Sequence, residues 1–227
     1  MRKVKYRRGH GRASDIARIN LNELLLILEA AVTLAYVERW VQRVVETNTQ
    51  STSKFTLTHL SGKKDPYEVS VVDSFIRIGA VSFAAHGSIA RWEWSFPNGK
   101  PGPDQRVDLC LINPGKTEES RIEFGTFGKV KLLKDAKKLH SLTQQPSKLL
   151  GNGAHTISNY VMLWRMNTRD GVTVSDTAWR DACTDAATYA SSAEREVVMR
   201  VCSEQDLFAD AVEIGRAKVQ TVIYEVI

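Results

Sequence analysis

The stretch Arg106 to Gly125, RVDLCLINPGKTEESRIEFG, carries the residue types and spacing best suited to chemistry. Strand residues alternate between two faces. Val107, Leu109 and Leu111 therefore share a face with Ile122 and Phe124, while Arg106, Asp108, Cys110, Glu123 and Gly125 share the other. Asn113-Pro114-Gly115-Lys116 supplies turn chemistry between the two runs. A hairpin symmetric about the Gly115/Lys116 bond sets Asp108 opposite Glu123 and Arg106 opposite Gly125. Opposed side chains lie roughly 5 Å apart at Cβ, and two carboxylates at that spacing repel. A compensating cation relieves the repulsion, and hard carboxylate oxygens suit Mg²⁺. The other reading of the same pattern is a solvated polar strand face.

Elements on both sides must position this hairpin. Upstream, SIARWEWSF alternates, with Ile89, Arg91, Glu93 and Ser95 on one side and Ala90, Trp92, Trp94 and Phe96 on the other. It predicts a strand, joined to the hairpin by the Pro- and Gly-rich loop PNGKPGPDQ. Downstream, KVKLLKDAKKLHSL (Lys129 to Leu142) repeats apolar residues at helical spacing. Lys129, Lys131, Lys134, Lys137 and Lys138 give this helix a cationic face, either solvated or turned toward phosphate. NYVMLWRM then reads as a buried strand. Strand, hairpin, helix and strand in that order imply a mixed sheet with a crossover helix.

Farther out, Ser14-Asp15 offers an N-cap to an amphipathic pattern through Leu21, Leu24, Leu28, Val32, Tyr36 and Val45. That pattern predicts a long helix, or two with a break, ending near Glu46; Glu23, Glu29 and Glu38 lie at different angles, most of them toward solvent. FTLTHL is β-rich, and Tyr67 to Ile78 fits a strand or a helix equally. Toward the C-terminus a helix opens at Ser175-Asp176 and runs in one or two pieces to Cys202. Ser203 to Asp206 resembles a capping box for a short helix to about Ile214, and KVQTVIYEVI alternates like a strand.

Composition sets the class. At 227 residues, with ordinary hydrophobic and charged fractions, the chain can bury the core of one α/β domain over 14–227 behind a basic tail at 1–13. The tail suits polyanions. Cys110, Cys183 and Cys202 form no CxxC pair and leave one over, which argues against a disulfide framework or thiolate zinc site and for a reducing, cytoplasmic setting. The longest apolar run, LLLILEAAVTLAYV, is interrupted by Glu29 and falls short of the ~20 residues that span a bilayer, so no membrane is expected. His59, His86, His140 and His155 lack ligand spacing.

WEW, RVDLCL, RIEFG and a Lys-rich helix, following an opening helix, together resemble the PD-(D/E)XK nuclease-like superfamily. The resemblance covers Arg91 to Leu142 and extends loosely to the first helix and the Tyr160 strand. It implies a restriction-endonuclease-like mixed sheet flanked by helices, with a long N-terminal helix and a helical C-terminal region. It further implies that Asp108 and Glu123 hold Mg²⁺ or Mn²⁺, with Glu93, or failing that Glu38, as an added acid. The expected reaction is phosphodiester hydrolysis in nucleic acid, DNA in particular, and a homodimer is compatible with it. One position departs. The family carries Lys two residues after the Glu, where this chain has Gly125. Arg106 offers a purely electrostatic substitute, and Lys129 or Lys131 an amine from the next helix. The alternative is a catalytically degenerate member that binds nucleic acid or protein.

Overall fold

The computed structural model describes residues 20–47, 68–96, 105–145, 148, 150–151, 153–167, 176–207 and 217–227. Its elements, in chain order, are α1 (Leu21–Thr47), α2 (Glu68–Ala85), β1 (Ile89–Phe96), β2 (Gln105–Ile112), β3 (Glu118–Thr126), α3 (Lys129–Leu142), β4 (Thr156–Asn167), α4 (Asp176–Ala190), β5 (Val197–Leu207) and β6 (Ala217–Val226). The six strands form one mixed sheet in the order β1-β2-β3-β4-β6-β5. β3 and β4 run parallel, joined by the α3 crossover, and the other neighbours are antiparallel. The basic tail, Ser14-Asp15, FTLTHL, the loop before β2 and residues 208–214 lie outside the described residues.

Each face of the sheet buries one pair of helices. Leu24, Leu28, Ala31, Val32, Ala35 and Tyr36 of α1 and Val71, Val72, Phe75 and Phe83 of α2 pack on Leu109, Leu111, Ile122, Phe124, Met162 and Ile223. The α1 apolar stripe follows helical spacing, and the Asn20 side chain caps its first turn by accepting the Asn22 N–H at 2.9 Å. The same spacing resolves Tyr67 to Ile78 as helix, since Val71, Phe75, Gly79 and Phe83 recur every four residues. On the other face, Leu132, Ala136, Leu139 and Leu142 of α3 join Trp179, Cys183, Ala186 and Ala190 of α4 over Cys110, Val161, Leu163, Val222 and Tyr224.

The hairpin has the expected register, Leu109 facing Ile122 and Ile112 facing Glu119. Its face assignment needs one correction. Leu109 packs on the α1/α2 side, but Val107, two residues earlier, packs on the α3/α4 side. The cause is local: Glu93 of β1 adopts φ 47°, in the left-handed region, at the register position between Trp92↔Leu109 and Trp94↔Val107. The same break sends Ala90 to one core and Trp94 and Phe96 to the other, so the simple alternation of SIARWEWSF does not hold either.

The C-terminal region is also not mainly helical. α4 stops at Ala190, Ser191 to Glu196 turn, and Val197 to Leu207 form β5, so the helix to Cys202 and the capping box at Ser203 are both overturned. Val197, Val198 and Val201 favour a strand once β6 offers a ladder, and that pairing outweighs the local capping pattern. Glu29 is buried, not solvent-facing, and accepts a hydrogen bond from Gln205 Nε2. Glu38 is exposed on α1. Among the described residues no helix is long and apolar enough to cross a membrane.

Candidate functional site

The β2–β3 ladder ends at Leu109–Ile122, whereas β3 continues its ladder with β4 as far as Thr126. The sheet therefore forks at Asp108 and Glu123, the first positions past the end of that ladder. At the fork Asp108 replaces a backbone partner: its Oδ2 accepts the Phe124 N–H at 2.8 Å, which fixes the carboxylate against β3 beside Glu123. Glu123 is 1% exposed and receives Lys138 Nζ on Oε2 at 2.6 Å, while its Oε1 is buried without a hydrogen-bond partner.

α3 completes the site from the same face. Lys131, Asp135 and Lys138 are spaced four and three residues apart and share one side of the helix. Lys131 Nζ lies 3.1 Å from Asp135 Oδ2 and 3.3 Å from Glu68 Oε2. Glu68 opens α2, which covers the opposite face of the sheet, so this ion pair joins the two layers across the fork. Gly125 makes room for it. A Cβ at Gly125 would lie 2.1 Å from Lys131 Cε and 3.1 Å from Nζ, so the lysine's side chain occupies the space that a side chain at 125 would fill.

The charges are unevenly matched. Among the described residues Glu68, Asp108, Glu123 and Asp135 face Lys131 and Lys138, leaving an excess of two negative charges when all are ionised. Burial, then the Asp108 charge, push the Glu123 carboxyl up to about 8, with Lys138 pulling the other way. Burial likewise raises the Glu68 and Asp135 carboxyls above their usual range. Burial alone would lower Lys131, but Asp135, Glu68 and Asp108 outweigh it and hold the ammonium above its ordinary value. Lys131 is thus a charged donor and not a free amine at neutral pH.

The other sequence candidates fall outside this group. Glu93 and Arg106 pair with each other at 3.1 Å, both well exposed, so Arg106 does not lie over Gly125. Lys129 is tied to Asp185 of α4. Glu68 and Asp135 were missed. Asp135 is the one acid in a helix of five lysines, four residues after Lys131, a signal that was readable; Glu68 gives no sequence signal, because its role comes from tertiary approach alone.

Two hard carboxylates, one with a buried oxygen that has no hydrogen-bond partner among the described residues, fit a divalent cation such as Mg²⁺ at Asp108 and Glu123. Among the described residues no three His, Cys, Asp or Glu side chains form a ready metal cage. Mg²⁺ does not require one, since it is often held by one or two carboxylates and completed by water and substrate phosphate. No protein-family model matches the chain, and neither curated proteins nor solved structures give a match.

Proposed function

We propose that this protein is a metal-dependent nuclease of the restriction-endonuclease-like fold, cleaving phosphodiester bonds in DNA at the β2–β3 fork. The observation that carries the reading is Lys131 lying over Gly125 beside Asp108 and Glu123. A cation reached through the helix stands where the motif's own lysine is missing. Asp108 and Glu123 would hold Mg²⁺ or Mn²⁺. Bound there, the ion supplies charge neutralisation on the phosphate and a water acidified toward neutral pH.

The protein's own groups do the rest. Asp108 is oriented by the Phe124 N–H, which fixes its carboxylate at the fork. Lys131, bracketed by Glu68 and Asp135, presents N–H donors to an attacking water or a phosphate oxygen, and being charged it orients and stabilises without accepting a proton. α3 begins without a side-chain cap and has no acid in its first turn, where Lys129 and Lys131 sit against the helix dipole. That local cost is what a cation placed for an anionic ligand entails.

Asp108→Asn should abolish both Mg²⁺ binding in calorimetry and Mg²⁺-dependent cleavage of DNA. Lys131→Met should keep Mg²⁺ binding and lose cleavage. A wild-type protein that binds neither Mg²⁺ nor Mn²⁺ at millimolar concentration would overturn the reading. One observation favours the degenerate alternative: Lys138 already neutralises Glu123 from within the chain. On that reading the fork binds nucleic acid or protein and cleaves nothing, and the same calorimetry separates the two.

A further inference from the structure

We propose that Lys138 is a built-in counter-cation for Glu123 that a divalent metal displaces, so that metal loading frees one particular lysine at the fork. The inference rests on the metal-site reading above. Glu123 is held inside the sheet with Lys138 Nζ 2.6 Å from Oε2, while Oε1 has no hydrogen-bond partner. Whenever Glu123 is ionised, that ammonium neutralises a buried carboxylate next to Asp108. The pocket is then paired at one oxygen and, among the described residues, unsatisfied at the other.

A divalent ion at Asp108 and Glu123 changes that balance. It carries twice the charge of an ammonium and approaches carboxylate oxygens to about 2.1 Å. Two cations against one carboxylate repel across a few ångströms, and the ammonium is the one on a flexible four-carbon stem. Lys138 is 29% exposed, so its ammonium has a path to solvent without any backbone change. The α3 backbone is meanwhile held by Arg121, which donates to the carbonyls of Leu142 and Gln145.

The neighbouring lysines behave differently. Lys131 pairs with Glu68 and Asp135, neither of which the proposed ion uses, so it keeps its place. Lys134 and Lys137 are exposed on α3 whatever the site holds. Lys129 is engaged by Asp185. The metal therefore selects Lys138 among the lysines of this helix. The freed ammonium is then available to a phosphate oxygen, which makes anion recognition at this position follow metal binding.

The test is a short pulse of reductive amine methylation on the full chain, read lysine by lysine by peptide mass spectrometry, with and without millimolar MgCl2. Labelling of Lys138 should rise several-fold with Mg²⁺ while Lys134 and Lys137 stay constant. In Glu123→Gln the lysine should label rapidly without Mg²⁺ and gain nothing when it is added. Mg²⁺ binding seen by calorimetry with no change at Lys138 overturns this inference alone. Absence of Mg²⁺ binding overturns the metal-site reading and this inference with it.

Discussion

At Gly125 the chain omits a side chain so that another residue can use the space. The glycine is not demanded by its backbone, because the glycines with positive φ among the described residues are Gly87 and Gly153. What fills its place is the flexible end of Lys131. Gly125→Ala should therefore shift stability by no more than about 1 kcal/mol, measured by denaturant unfolding, yet displace the ammonium and lose most of the proposed cleavage. Gly125→Lys combined with Lys131→Ala should return an amine to the site from the strand side and recover activity. If Gly125→Ala cuts DNA as well as wild type, Lys131 has no role in cleavage. Sequence alone offered Arg106 as an electrostatic substitute and Lys129 or Lys131 as an amine, without choosing among them. Their ion pairs separate them, since Arg106 is drawn to Glu93 and Lys129 to Asp185.

Glu123 predicts a pH dependence at the same scale. Its carboxyl titrates near 4.5 in an unfolded chain and near 8 in the fold, because burial and Asp108 penalise the ionised form. Between those values the folded state holds a proton that the unfolded state has released, so metal-free stability should fall as pH rises through this window and level off above it. Unfolding curves in EDTA from about pH 5 to about pH 9 should show this decline, and Glu123→Gln should remove much of it. A flat profile in the wild type would mean that Glu123 is solvated.

Among the elements, α3 depends on a residue of the adjacent strand. Arg121 is fully buried, pairs with Glu119 at 3.1 Å, lies 4.3 Å from the centre of the Phe96 ring and donates to the Leu142 carbonyl that ends α3 and to the Gln145 carbonyl beyond it. Those bonds brace the turn by which the chain leaves the helix, where the Leu142 carbonyl also accepts the Gln145 N–H. Arg121→Met would leave Glu119 buried without its guanidinium and should cost about 3–5 kcal/mol in unfolding free energy. Because Lys131 and Lys138 ride on this helix, the proposed cleavage should fail along with it. α3 itself was legible from sequence to its terminal residues, and β2, the hairpin register and the central part of β4 were legible without their exact ends, since each has strong periodicity or a clear turn. The faces of β1 were not, because a single left-handed residue at Glu93 reverses them and Glu gives no warning of positive φ. β5 was misread for a different reason: Ser203 to Asp206 carries a local helix signal that its ladder with β6 overrides.

For the molecule as a whole, charge and thiol chemistry agree with the composition. Cys110, Cys183 and Cys202 are all free, and burial pushes each thiol up, that of Cys183 to about 12. The net charge of +5 becomes more informative with Lys134 and Lys137 exposed on the helix that borders the fork. If DNA crosses this edge, Lys134→Glu and Lys137→Glu should each weaken binding and reduce the salt dependence of the affinity by about one unit per lost phosphate contact. Titrations of labelled duplex at several salt concentrations check this, and an unchanged slope would move the DNA path elsewhere.

The strand order also bears on how the protein is made. β6 is the latest of the described elements in sequence, yet it lies inside the sheet, between β4 and β5, with α1 packed on its residues Val219 and Ile223. On the ribosome, everything from α1 to β5 emerges before the strand that joins them. Until then, among the described strands, β5 has no partner and β4 has one open edge. The carboxylates at the fork, with α2 and α3 beside them, all precede β6 in the chain, but the sheet that carries them is continuous only when β6 pairs with β4 and β5. Completion of the sheet thus waits on β6, a timing built into the order of strands and not into any residue of the site itself.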